Sequence, residues 1–141
     1  MVEKNKNTHA EKFKRKFEIF QKTSKTFSGR VCKYMNAREW NADVFAHRTN
    51  LLERVYYRIK SDKMNNPLVE TVLAISIGLQ LTASERTELL ALAGRVLQST
   101  KQHFAYEYIF DNFSVKSVEE FNTIFLELNV ETTAPLRESG K

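Results

Sequence analysis

Apolar residues along this chain recur at intervals of three and four, the repeat that gathers side chains on one face of an α-helix, and no stretch alternates convincingly as a strand does. Phe13, Phe17 and Phe20, with Ile19 beside them, stripe a first helix over residues 10–22. Its other face holds Lys12, Lys14, Arg15, Lys16 and Lys22, so the segment is amphipathic and its aromatics are expected to bury against something. Phe27, Val31, Tyr34 and Met35 make a second apolar face that ends near residues 36–39. Asn41 can cap a third helix over 42–48, where Val44, Phe45 and Ala46 supply the contacts. A fourth runs from Leu52 or Glu53 to Lys60. After a polar loop at 61–66, Pro67 suits the first turn of a fifth helix reaching Gly78. Val69, Val72, Leu73, Ile75 and Ile77 make that helix nearly all apolar, hence central. Thr82 and Glu85 spell a capping box for a sixth helix, which Gly94 closes at the left-handed position. A seventh spans 101–112, and Ser117 with Glu120 spells a second box opening the last, which Asn129 can end. The stretch after Val130 is expected to fray.

Residues 41–67 hold the informative arrangement. Two short helices three residues apart can cross steeply only around a small side chain, a left-handed backbone residue and a hydrophobic plug. Ala46 is the small residue, Asn50 tolerates positive φ better than most side chains, and Leu51 is the plug. Tyr56 and Ile59, ten and thirteen positions after Ala46, fall where the second helix must face inward.

Charge and composition narrow the picture. The net charge of +5 is unevenly spread: +7 over residues 1–40, +2 over 41–66 and −4 over 67–141. A polyanion would therefore approach the front half. With four Gly and two Pro in 141 residues, a sandwich, a barrel or a disordered chain is disfavoured. Cys32 is alone, which excludes an intramolecular disulfide. No apolar run approaches the roughly 18–20 residues of a membrane span, and residues 1–10 lack a signal-peptide core, so a cytoplasmic protein without membrane contact is expected.

The 41–67 spacing resembles the helix-turn-helix of the Cro and phage-repressor family. The resemblance covers residues 27–94 and includes the basic loop Lys63-Met64-Asn65-Asn66-Pro67. Beyond it, Lys101-Gln102-His103, Ala105-Tyr106, Tyr108-Ile109 and the helix from Ser117-Val118 to Leu128 resemble a C-terminal extension on some helix-turn-helix proteins of Firmicutes. The resemblance implies an all-α, lambda-repressor-like bundle with a basic amphipathic arm (1–26), a DNA-binding domain (27–94), two extra C-terminal helices (95–130) that pack on it or dimerise, and a flexible tail (131–141). It implies a repressor-type transcriptional regulator that binds double-stranded DNA as a homodimer, with no cofactor. Solvent-facing Glu53, Arg54, Tyr57 and Arg58 would then meet base edges, Arg54 foremost because its fork matches guanine. Lys33, Arg48, Lys60 and Lys63 would meet phosphates, which position without specifying. This chain departs from the family at three points: Leu52 replaces a capping Ser or Thr, Glu53 takes a base-reading position, and Ala42 replaces a common Gln.

Other chemistry finds little footing. His9, His47, His103 and Cys32 lack paired metal-ligand spacing, so no metal is expected. Cys32 lies on an apolar face and reads as core rather than nucleophile. The chain has no H-E-x-x-H, G-x-S-x-G or P-loop motif, and neighbouring Glu119 and Glu120 point to different faces, so no enzyme is expected. Phe104, Ile109, Phe110, Phe113, Phe121, Phe125 and Leu128 form the densest apolar cluster, read either as internal packing or as a dimer face. Leu52, Glu53 and the acidic back half keep a second reading open, a non-catalytic interaction module such as an antitoxin or a partner-regulating protein.

Overall fold

The computed structural model describes residues 8–21 and 25–137. Lys22, placed above on the basic face, and residues 138–141 of the expected tail lie outside the described residues. Among the described residues eight helices and no strand make up the fold: α1 (His9–Gln21), α2 (Phe27–Ala37), α3 (Ala42–Thr49), α4 (Glu53–Lys60), α5 (Val69–Leu79), α6 (Ala83–Leu92), α7 (Lys101–Asn112) and α8 (Val118–Glu127). The protein is all-α.

The most apolar segment, α5, is buried without interruption from Thr71 to Leu79. A helix apolar all round has no solvent face to keep, so other helices must surround it. Helices α3, α6 and α8 pack on it directly, α2 bridges α4 and α6, and α7 leans on α8. Pro67 does not begin α5: it lies buried before Leu68, which is the N-cap. The Arg95 guanidinium donates through Nε to the Pro67 carbonyl at 2.8 Å, so the proline serves as an anchor point for the segment after α6. Gly78 does not end α5 either. A Cβ there would stand 2.8 Å from the Arg48 carbonyl oxygen and 2.9 Å from Thr49 Cγ2, so the missing side chain lets α5 touch α3.

Local caps set most helix ends. Asn41 Oδ1 accepts from the Val44 N–H at 2.9 Å, and Thr82 and Glu85 form the full reciprocal box. Gly94 takes φ +72° just past α6, and Asn129 takes φ +58° just past α8. The Ser117 box is closed differently from the sequence pattern. Ser117 Oγ accepts from the Glu120 N–H, while the Glu120 carboxylate reaches one residue further back, to the Lys116 N–H at 2.7 Å.

Two expectations are corrected by packing. The flexible tail is anchored over residues 131–137: Leu136 is buried, and the Asn122 amide both donates to its carbonyl and accepts from its N–H, each at 3.0 Å. An apolar residue held by a backbone-like amide pair has both a hydrophobic and a hydrogen-bonding reason to stay. Conversely, the α1 aromatics are not buried. Phe13, Phe17 and Phe20 are exposed and stack in a row, with centroids 6.2 and 6.1 Å apart.

The C-terminal cluster divides between inside and outside. Ile109, Phe121 and Phe125 join Tyr106 in the same continuous core as Phe27, Phe45 and Leu73, whereas Phe104 and Phe113 face outward. Residues 95–130 thus complete the core of 27–94.

Candidate nucleic-acid interface

The α3–α4 corner is built from local chemistry. Asn50 adopts φ +61°, ψ +28° and donates its N–H to the Ala46 carbonyl at 2.9 Å, which closes α3. Thr49, fully buried, donates Oγ1 to the Phe45 carbonyl at 2.7 Å and accepts from the Leu51 N–H at 3.2 Å. Leu51 fills the corner from within. Ala46 is half-buried, and α3 makes a second close approach, to α5 at Thr49 and Gly78, which the sequence pattern did not single out. A β-branched residue is strained in the left-handed region. Asn50→Val is expected to lower stability by about 1–2 kcal/mol, whereas Asn50→Gly should leave it nearly unchanged; thermal unfolding of the two variants checks this.

Helix α4 has a sharply two-sided surface. Val55 and Ile59, one turn apart, are completely buried, while Glu53, Arg54, Tyr57, Arg58 and Lys60 are exposed. The inward register is thus Val55/Ile59 rather than Tyr56/Ile59. Tyr56 is half-buried at the rim, tilted on Phe45 at 5.8 Å and edge-on to Tyr57 at 5.2 Å, and Lys60 Nζ lies 5.9 Å from its ring centre. At the start of α4, Leu52 is N-cap by position but offers no side-chain acceptor, and Glu53 brings a carboxylate to the first turn. A negative group there suits the positive end of the helix dipole.

The loop after α4 is polar yet pinned. Ser28 donates its N–H to Asn65 Oδ1 at 2.8 Å and its Oγ to the Met64 carbonyl at 2.6 Å. Asn66 Nδ2 donates to the Ala93 carbonyl, and Met64 is buried. Lys63 rides on this anchored loop, exposed, with its backbone N–H donated to the Arg58 carbonyl at 2.8 Å. Arg58 and Lys63 border the same hollow, of about 410 Å³, with Asp62 and Asn65.

The expected phosphate contacts are therefore gathered unevenly. Lys60 and Lys63 sit at the end of α4 beside Arg58. Lys33 is exposed on α2, whose neighbour Cys32 donates Sγ to the Ile59 carbonyl at 3.7 Å and so ties that helix to α4. Burial pushes the Cys32 thiol up from its ordinary value, which fits a packed side chain. Arg48 stands apart: it lines a different hollow, near Asn50, Gln80, Lys116 and Glu119.

Arg54 borders a larger cleft of about 830 Å³ between the start of α4, the start of α5 and the anchored segment with Glu131 and Arg137. Its wall includes Glu70 and Gln102, which meet at the Tyr106 hydroxyl: Gln102 Nε2 donates to it at 2.6 Å, and it donates to Glu70 Oε2 at 2.9 Å. Burial first, and then the Glu70 carboxylate, hold the phenol far above its usual range. This network was invisible to helical periodicity because Glu70 lies 36 positions from Tyr106. Among the described residues no group of three or more His, Cys, Asp or Glu could hold a metal ion, and no helix is long and apolar enough to cross a membrane. His103 Nδ1 accepts from the Gln98 N–H at 2.7 Å.

Comparison with known protein families, with curated proteins and with solved structures finds no match to this chain.

Proposed function

We propose that the α3–α4 corner is a helix-turn-helix and that the chain is a transcriptional regulator of the repressor type, reading duplex DNA in the major groove with α4. The observation that carries the reading is the outward ridge of α4. Arg54, Tyr57 and Arg58 project from a short helix whose opposite side is locked by Val55 and Ile59. A groove-reading helix needs exposed polar side chains held in fixed register, and the burial of Val55 and Ile59 behind them supports that reading. Arg54 and Arg58 carry forks suited to guanine edges, and Lys33, Lys60 and Lys63 surround them with the charge that phosphates need. Reading two half-sites about one helical turn apart calls for a second copy of the chain.

A second reading, a non-catalytic interaction module that keeps the helix-turn-helix fold, is favoured by the start of α4. Leu52 gives no capping acceptor, and the exposed Glu53 puts at a base-reading position a carboxylate that nearby phosphates would repel. Fluorescence anisotropy with a random labelled duplex separates the two. The regulator binds at low salt and weakens steeply as salt rises, because each neutralised phosphate releases counterions. For Lys33, Lys60 and Lys63 of two copies, about six phosphate contacts, the affinity should fall on the order of 1,000-fold between 50 and 200 mM salt. Absence of binding at micromolar protein in low salt favours the interaction module.

A further inference from the structure

Two surfaces of this protein carry more exposed aromatic area than a monomer needs, and they are opposite in charge. On α1, Phe13, Phe17 and Phe20 lie along one face, flanked by Lys14 on one side and Lys16 on the other, and Phe13 is 69% exposed. On α7, Phe104 and Tyr108 lie along one face, Phe113 follows them edge-on to Tyr108 at 6.4 Å, and Glu107 and Asp111, one turn apart, border the row on one side; Phe104 is 68% exposed. The Arg86 guanidinium, 3.8 Å from the Phe110 ring centre, sits within the field of both carboxylates but is itself half-buried and offsets only one of them.

We propose that two copies of this chain associate by exchanging α1, the Phe13–Phe17–Phe20 stripe of each lying across the Phe104–Tyr108–Phe113 face of the other. This specifies the second subunit that the DNA reading requires. The lengths agree: at about 1.5 Å per residue the stripe runs roughly 10 Å and the α7 row roughly 13 Å. Charge decides between this pairing and the simpler one of α1 with α1, which would set lysine against lysine. Across the exchange, the lysine-bearing α1 faces an α7 surface that carries Glu107 and Asp111, and opposite charges steer an interface even where they add little affinity. Area decides that the exchange is reciprocal. Aromatic side chains bury about 150–250 Å² each when fully covered. The exposed fractions of the six rings then amount to roughly 600 Å² for one arm, below a specific interface. Two arms reach about 1,200 Å², the lower bound of one. A duplex would satisfy the lysines of α1 but leave its three phenyl rings in water.

Sedimentation equilibrium of the full chain without DNA, from about 1 to 200 μM, tests the proposal independently of DNA binding. The wild type should show a concentration-dependent monomer–dimer equilibrium. Lys14→Glu with Lys16→Glu, or Glu107→Lys with Asp111→Lys, should each raise the dimer dissociation constant at least tenfold, and an equimolar mixture of the two variants should dimerise again because both arms are then matched. Phe17→Ser and Phe104→Ser, at exposed positions, give the same readout if the α7 charge variant fails to fold. A wild type that stays monomeric throughout would overturn the exchange, whether α1 then proves to cover its own α7 or to bind duplex. A dimer indifferent to the arm substitutions, or a mixture that stays monomeric, would overturn it equally.

Discussion

Replacing Arg54 and Arg58 together by alanine is expected to weaken duplex binding by about 100-fold or more while leaving the far-ultraviolet circular dichroism and the melting temperature unchanged. Both side chains are exposed on α4, and the buried contacts of that helix come from Val55 and Ile59, so truncation removes nothing from the core. Each well-formed bidentate contact to a base is worth roughly 1–3 kcal/mol, and two of them account for the loss. The accompanying change in salt dependence should be small, since base contacts release few counterions compared with phosphate contacts. Lys60→Ala and Lys63→Ala should do the reverse, lowering affinity about equally for all sequences and flattening the salt slope by about one each. Anisotropy titrations at three salt concentrations check both halves. Binding by the double arginine variant within threefold of wild type would remove α4 from the groove.

A single methyl group is expected to lower stability and duplex affinity together. Gly78→Ala puts a Cβ against the Arg48 carbonyl oxygen at 2.8 Å and Thr49 Cγ2 at 2.9 Å. The carbonyl belongs to backbone and cannot rotate away, so α3 and α5 must separate. Overpacking of this kind costs about 1–3 kcal/mol. The better helix propensity of alanine returns only about 1 kcal/mol of it at most. For a chain of this size the melting temperature should drop on the order of 5 °C, and Gly78→Val should drop it further. Because α3 carries the corner that sets α4, duplex affinity should fall along with stability, unlike in the arginine variant. A melting temperature equal to or above that of wild type would mean that the two helices do not approach so closely.

What could be read from the amino-acid order alone follows a physical divide. Helices whose ends are written in local chemistry were legible. The 101–112 helix, the Thr82–Glu85 box, the left-handed Asn50 and Gly94 all depend on residues within a turn of one another. Features that need a distant partner were not. Tyr56 and Val55 are adjacent in sequence but about 100° apart around the helix, and the structure puts the valine inside and the tyrosine at the rim against Phe45. Gly78 reads only as a residue near the end of its helix until α3 is laid against it. Leu136 reads as a frayed end until Asn122, 14 residues earlier, takes hold of its backbone. The α1 stripe has the pattern of a buried face, yet Phe13, Phe17 and Phe20 are exposed among the described residues. Of the candidate site, the outward positions of α4 were legible because amphipathicity is a local property. The separation of Arg48 from the other basic residues was not, because it depends on where α3 ends against α8.

The most direct test of the central claim is an amide chemical-shift titration of the labelled protein with a duplex selected from a random library. The account predicts that the shifts concentrate on residues 53–63, with smaller changes near Lys33, and spare α6 and the buried face of α8. Shifts confined to α7 and α8, or an α4 that is indifferent to saturating duplex, would contradict it.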